Sequence, residues 1–168
     1  MSNSTTRRTF LASTAAMTLL PALPALADGH GPTVVEMVNV HPENKRLRNA
    51  FYPRVLAVEP GTTVKFQSTD RGHNSAAIDG MIPECVEAWD GKINDDIEVT
   101  FDTPGVYGYK CTPHVASGMV ALIFVKGEGM LDNLEDAQGV RQRGKAKSTF
   151  EDLWEEAAEM GLLDESAA

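Results

Sequence analysis

The chain has little positive charge for its length. It contains 15 lysines and arginines against 24 acidic residues, so its formal net charge is −9 over 168 residues. This deficit argues against nucleic acid and anionic membranes as partners, because both attract cationic surfaces. The simplest consequence of the excess acid is solubility.

Acidic residues are absent from the first 27 positions, which hold Arg7, Arg8 and an apolar run between Phe10 and Leu26. With the small-residue site Ala25-Leu26-Ala27, this pattern predicts a cleaved export signal over residues 1–27. The paired arginines also resemble a twin-arginine signal, so either export route is open. Prolines interrupt the apolar run and no stop-transfer pattern follows, which disfavours a retained membrane span.

Removal of 27 residues from 168 leaves 141, enough for one domain with its own core. This remainder keeps 13 of the 15 basic residues and all 24 acidic ones, a formal charge of −11. It contains neither an internal repeat nor a low-complexity segment.

Cysteine is scarce, with only Cys85 and Cys111. Two cysteines in an exported protein ordinarily suggest one disulfide. We expect instead that Cys111 is a metal-binding thiolate, because His114 and Met119 follow it at short spacing. Cys85 is then either a small buried hydrophobe or an exposed thiol able to couple two chains.

Alternating polar and apolar residues predict an all-β sandwich. Turns such as Glu59-Pro60-Gly61 and Thr103-Pro104-Gly105 separate the strands, because proline fixes φ and glycine tolerates positive φ. The predicted strands are Thr33 to Val40, Val55 to Val58, Thr62 to Ser68, Ile97 to Phe101, Gly105 to Cys111 and Met119 to Val125.

After Lys126 the pattern becomes helical, so we divide the mature chain into a sandwich at 28–127 and a helical extension at 128–168. Ser148 and Glu151 form a capping-box signature before an apolar stripe that contains Trp154, which predicts a helix from Thr149 to Met160. A shorter helix is expected near Asp132 to Gln138. We expect the stripe to pack on the sandwich.

A soft-ligand motif stands at the end of a predicted strand. Cys111, His114 and Met119 supply a thiolate, an imidazole and a thioether, which favour copper in a trigonal His, His, Cys site with a weak axial Met. The second imidazole is expected from His73, although a single loop histidine is more often a surface residue. His30 and His41 lack a comparable strand-end position, and Met81 is the alternative to Met119.

Two neighbours of these residues are expected to support the site. Asn74 is placed to hydrogen-bond the loop of Cys111, and Pro113 has no N–H to donate to the Cys111 sulfur.

Five short segments occur in an order typical of one protein family. They are Gly72-His73-Asn74, Gly80-Met81-Ile82-Pro83-Glu84, Pro104-Gly105-Val106-Tyr107, Lys110-Cys111-Thr112-Pro113-His114 and Gly118-Met119. With the helical tail, they resemble the pseudoazurins; the ligand spacing alone would also suit plastocyanin. The resemblance covers the chain from about Val34 onward.

The resemblance implies a Greek-key cupredoxin sandwich with a C-terminal pair of short helices and one type 1 copper. It implies His73, Cys111, His114 and Met119 as the ligands, with copper alternating between Cu(I) and Cu(II). The implied function is a soluble periplasmic electron carrier for a respiratory or denitrification partner such as copper nitrite reductase or a cytochrome. We expect the carrier to be a monomer. The implied electron exit is the exposed ring edge of His114.

A partner surface is expected around His114. Small or apolar residues, Pro113, Val115 and Ala116, would form its centre. Cations would surround them, either as ordinary surface charges or as a ring that attracts an acidic partner: Arg71, Lys110, Lys45 and Arg46, with Arg48 and Arg54 nearby.

Two other function classes can be compared with the electron carrier on the residues present. A copper storage or delivery protein would use the same ligands, so this alternative stays open. An enzyme is disfavoured, because four ligands leave no open coordination position and the sequence offers no spare histidine pair for a second copper.

Overall fold

The computed structural model describes residues 32–164. The predicted export signal at 1–27 and His30 therefore lie outside the described residues. Within 32–164, no helix is both long enough and apolar enough to cross a membrane.

Two four-stranded sheets face each other. The first contains β1 (Thr33–Val40), β2 (Arg48–Tyr52), β4 (Thr62–Gln67) and β6 (Ile97–Phe101), in the order β2-β1-β4-β6. The second contains β3 (Val55–Val58), β5 (Ala76–Ala77), β7 (Gly105–Lys110) and β8 (Val120–Val125), in the order β3-β8-β7-β5. The pairs β1 with β4 and β3 with β8 are parallel, and the other pairs are antiparallel.

All six predicted strands are present, three of them with the predicted bounds. Two further strands were not predicted. β2 begins at Arg48, inside a stretch too polar to read as a buried strand, and β5 has only two residues. The predicted sandwich is thus confirmed, and each sheet contains one strand that was not predicted.

Strand β8 is buried on both sides, because it separates two apolar layers. Ala121, Ile123 and Val125 belong to the layer between the sheets. Leu122 and Phe124 face the opposite way, into the layer beneath the helices. The two-residue period of a strand thus produces both cores from one segment.

Between residues 32 and 164 the chain forms two α-helices, α1 (Leu134–Gly139) and α2 (Lys145–Glu159). The predicted packing of α2 on the sandwich is confirmed, since Phe150, Leu153 and Ala157 are buried in the outer layer. The predicted capping box is wrong. The helix begins four residues earlier with Gly144 as its N-cap, and the Ser148 hydroxyl donates to the Lys145 carbonyl inside the first turn. The basic residues Lys145 and Lys147 therefore belong to the first turn of the helix.

Candidate metal centre

The loop between β7 and β8 is closed by its own backbone. It runs through a short 3₁₀ turn, Thr112–Ser117. The Cys111 N–H donates to the Met119 carbonyl at 3.0 Å, and the Met119 N–H donates to the His114 carbonyl at 3.1 Å. These bonds hold the two ends of the loop together, so Cys111 and Met119 enter the same apolar layer between the sheets.

Three metal-binding side chains converge at this end of the sandwich. The Cys111 Sγ lies 3.8 Å from His73 Nδ1 and 3.4 Å from His114 Nδ1. The two Nδ1 atoms are 3.2 Å apart, and all three ligand atoms lie within 4.8 Å of one another. Among residues 32–164, neither Nδ1 has a hydrogen-bond partner outside this set. Two imidazole nitrogens and a sulfur directed at one point match the donor set of a trigonal copper site.

The solvent exposure of the four expected ligands is unequal. His73, Cys111 and Met119 are fully buried, whereas His114 is partly exposed. A centre at this position would therefore be shielded from water except along the His114 ring.

The His73 ring is oriented from behind by Asn39. Its Nε2 lies 3.0 Å from Asn39 Oδ1. With the amide oxygen facing the ring, Nε2 carries the proton and Nδ1 presents its lone pair to the centre. Asn39 was missed by sequence analysis, because it stands 34 residues away and meets His73 only through the fold.

A second asparagine fixes the backbone of the His73 loop. The Gly72 N–H donates to Asn94 Oδ1 at 2.6 Å, and the Asn94 N–H donates to the His73 carbonyl at 2.8 Å. Asn94 adopts a positive φ of 70°, a conformation that asparagine tolerates better than most residues. No local sequence pattern pointed to this contact.

Asn74 joins the two segments that carry the ligands, as its position suggested. Its Oδ1 accepts the Thr112 N–H at 2.8 Å, and its Nδ2 donates to Thr112 Oγ1 at 3.1 Å. The same Nδ2 donates to the Gly91 carbonyl at 2.8 Å. The Asn74 side chain is 3% exposed, so these bonds form away from water.

Burial shifts the pKa of two ligand groups towards their neutral forms. It lowers the pKa of His73, with the neighbouring His114 acting in the same direction. It raises the pKa of the Cys111 thiol, while the backbone N–H groups of Asn74 and His114 oppose this effect. A neutral imidazole is already the metal-binding form, but the thiolate needs a bound cation to stabilise its charge.

The surface around His114 has small or apolar residues. Pro113 and Ala116 are exposed, and Val115 is half-buried. Gly72 lies beside the ring, since a Cβ there would come within 3.9 Å of His114 Cε1. This places the exposed Arg71, which precedes Gly72, close to the same surface.

The other three cations expected around His114 differ in position and exposure. Lys110 is half-buried at the end of β7, where it pairs with Ala76 and Val120. Arg46 lines a cavity together with Ser117, at the end of the metal loop. Lys45 is exposed in the same loop as Arg46 but does not line that cavity.

The rival ligand candidates lie elsewhere. The Nδ1 of His41 accepts the backbone N–H groups of Glu43 and Asn44 at 3.3 and 3.2 Å, so it serves its own loop. Met81 belongs to the layer beneath the helices, where its sulfur accepts the Gln142 side-chain amide at 3.2 Å. Met119 instead shares the inner layer with Cys111.

Neither cysteine forms a disulfide. Both are free thiols, with Cys111 buried and Cys85 exposed. The reading of Cys85 as a small buried hydrophobe is therefore wrong, because the turn that carries it lies at the surface.

Residues 36–126 match the family model of copper-binding proteins of the plastocyanin/azurin family. Pseudoazurin from Methylorubrum extorquens is 35% identical over 148 residues, which cover 88% of this chain and 95% of the relative. Pseudoazurin from Paracoccus pantotrophus is 38% identical over 143 residues, which cover 84% of this chain and 92% of the relative.

The fold supports the same assignment. The crystal structure of pseudoazurin from Methylobacterium extorquens AM1 superposes with a TM-score of 0.67 at 36% identity. The superposition covers 77% of this chain and 99% of that one. The chain therefore belongs to the pseudoazurins, copper-binding electron-transfer proteins, rather than enzymes, of the plastocyanin/azurin family.

Proposed function

We propose that the protein is a periplasmic one-electron carrier whose single copper ion would be held by His73, Cys111, His114 and Met119. The observation that carries this proposal is the convergence of two Nδ1 atoms and one Sγ within 4.8 Å, beside a fully buried methionine. A bound copper ion would exchange one electron between Cu(II) and Cu(I). The protein residues keep the ligands in place and exclude water.

Rigidity of the ligand frame supports the carrier function. Cu(I) and Cu(II) prefer different geometries, so a frame that resists rearrangement keeps electron exchange fast. Asn39 holds the His73 ring, and Asn74 ties the His73 segment to Thr112 beside Cys111. We propose Asn74 and Pro113 as supporting residues, since Pro113 withholds a donor from the sulfur.

The helical extension at 128–168 would brace the sandwich domain at 28–127 close to its metal loop. A Cβ on Gly118 would lie 2.6 Å from Thr149 Oγ1, so α2 approaches the loop at a distance that only glycine allows. Gly118 also has a φ of 95°, which most side chains disfavour. The extension thereby limits the movement of the residue that precedes Met119.

Electrons would leave through His114, the partly exposed ligand. The small and apolar residues Pro113, Val115 and Ala116 would allow close approach, and Arg71, Lys110, Lys45 and Arg46 would attract an acidic partner. We propose a periplasmic redox enzyme, such as a copper nitrite reductase, or a cytochrome as that partner. The sequence of residues 1–27 supports export to this compartment.

The test is the visible spectrum of the copper-loaded protein before and after ascorbate. We expect strong thiolate-to-copper charge-transfer bands that bleach on reduction and return on oxidation. Cys111→Ser should abolish the bands, whereas Cys85→Ser, the matched control, should keep them. A colourless protein that still binds copper would contradict the proposal and favour storage or delivery.

A further inference from the structure

A cavity of about 260 Å³ opens beside the metal loop. Ser117 and Gly118 form one part of its wall, and the first turns of α2 form another. Four cationic side chains line it, with Asp152 as the single acid among the lining residues: Arg46, Arg48, Arg54 and Lys145.

Only one of these cations has a counter-charge. The Arg54 guanidinium is bonded to Glu156, with Nη2 to Oε2 at 3.0 Å and Nε to Oε2 at 3.3 Å. Within residues 32–164, Arg46, Arg48 and Lys145 make no ion pair. The chain as a whole carries a formal charge of −9, so this gathering of cations is opposite in sign to the rest of the molecule.

Unpaired cations around one concave space repel each other, and a bound anion removes that repulsion. Guanidinium groups also present forked donors that match carboxylate and phosphate oxygens. A water occupies roughly 30 Å³ in the liquid, so the cavity is large enough for a small multivalent anion.

We infer that this cavity is a binding site for an oxyanion, a carboxylate or phosphate group, held by Arg46, Arg48 and Lys145. The anion is either free in solution or carried on an acidic side chain of another protein, since the chemistry of recognition is the same. Bound there, it lies against Ser117 and Gly118, directly before Met119. The site is thus distinct from the ligand cluster but adjacent to its loop. It shares Arg46 with the partner surface proposed around His114, but anion binding in the cavity requires neither copper nor electron transfer.

The experiment titrates the ¹⁵N-labelled protein at constant ionic strength with three probes: citrate, inorganic phosphate and an acetylated tetraglutamate peptide. We expect saturable, one-to-one shifts of the Ser117 and Gly118 amide signals. Arg46→Gln and Arg48→Gln should each weaken binding by roughly tenfold, as expected for the loss of one charged hydrogen-bond donor. Lys92→Gln removes the same charge from an exposed residue outside the cavity and serves as the matched control.

Saturation by citrate or phosphate would identify a free anion as the ligand, and saturation by the peptide alone would identify an acidic protein side chain. Shifts that rise linearly with all three probes would overturn the inference. An equal loss of affinity in Lys92→Gln would also overturn it, because binding would then follow net charge alone. Circular dichroism confirms that the variants are folded before titration.

Discussion

Replacement of Asn74 by alanine should weaken both the fold and the metal centre. The side chain makes three hydrogen bonds, two to Thr112 and one to the Gly91 carbonyl, and is 3% exposed. A hydrogen bond contributes about 1 kcal/mol net, and unpaired partners add to the cost. We therefore expect Asn74→Ala to lower the free energy of unfolding by about 2–4 kcal/mol.

A matched control separates stability from metal binding. Asn133 also fixes a backbone segment, because its Oδ1 accepts the Val106 N–H at 2.9 Å and its Nδ2 donates to the Val106 carbonyl at 2.8 Å. Asn133→Ala should lower the free energy of unfolding by about 1–3 kcal/mol. The bonds of Asn133 are to Val106 alone, at the start of β7, and involve neither the Thr112 segment nor the His73 segment that Asn74 joins.

The assay is urea unfolding of the metal-free variants, combined with the charge-transfer spectrum and the rate of copper loss to a chelator. We expect altered bands and faster copper loss in Asn74→Ala only. If the two variants lose similar stability and keep identical spectra and copper-loss rates, Asn74 is a general structural residue. A stability loss below about 0.5 kcal/mol in Asn74→Ala would refute the hydrogen-bond argument itself.

Three further predictions can be checked in solution. Pro113→Ala should raise the reduction potential measured by voltammetry, because alanine introduces an N–H beside the Cys111 sulfur; an unchanged or lower potential would count against this. Burial lowers the pKa of His41 below its usual 6.5, and Arg54 acts in the same direction, outweighing Glu43. As the pH falls, His41 is therefore protonated at a higher pH in the unfolded chain than in the folded one. Its contribution to the free energy of unfolding of the metal-free protein is complete above about pH 6.5 and decreases below that pH. His41→Asn, which keeps an acceptor for the loop, should reduce that dependence and leave the part due to His73, whose pKa is also lowered; a slope equal to wild type would exclude His41 as a source. Electron transfer to an acidic partner should slow as salt is added, whereas a salt-independent rate would argue against steering by the cations around His114.

Local sequence patterns were sufficient for most of the sandwich. Six strands followed from alternation and from proline and glycine turns, because a strand exposes alternate residues to its two sides. The chemistry of the centre also followed from spacing, since a short loop brings Cys111, His114 and Met119 to one end of the sandwich. The prediction failed at β2, where the polar residues around Arg48 conceal a strand, and at the start of α2, where Gly144 rather than Ser148 is the N-cap.

Contacts between distant segments required the tertiary structure. The structure brings His73, rather than His41, to the Cys111 sulfur, and it places Met81 in a different layer from Met119. The structure also places Asn39 behind His73 and brings the cations together at the cavity beside the metal loop. Ligand chemistry and strand period depend on residue type and local spacing, and both can be read from the sequence. The contact of Asn39 with His73 and the grouping of cations beside the metal loop arise from the pairing of sheets and the packing of α2, so no local pattern could reveal them.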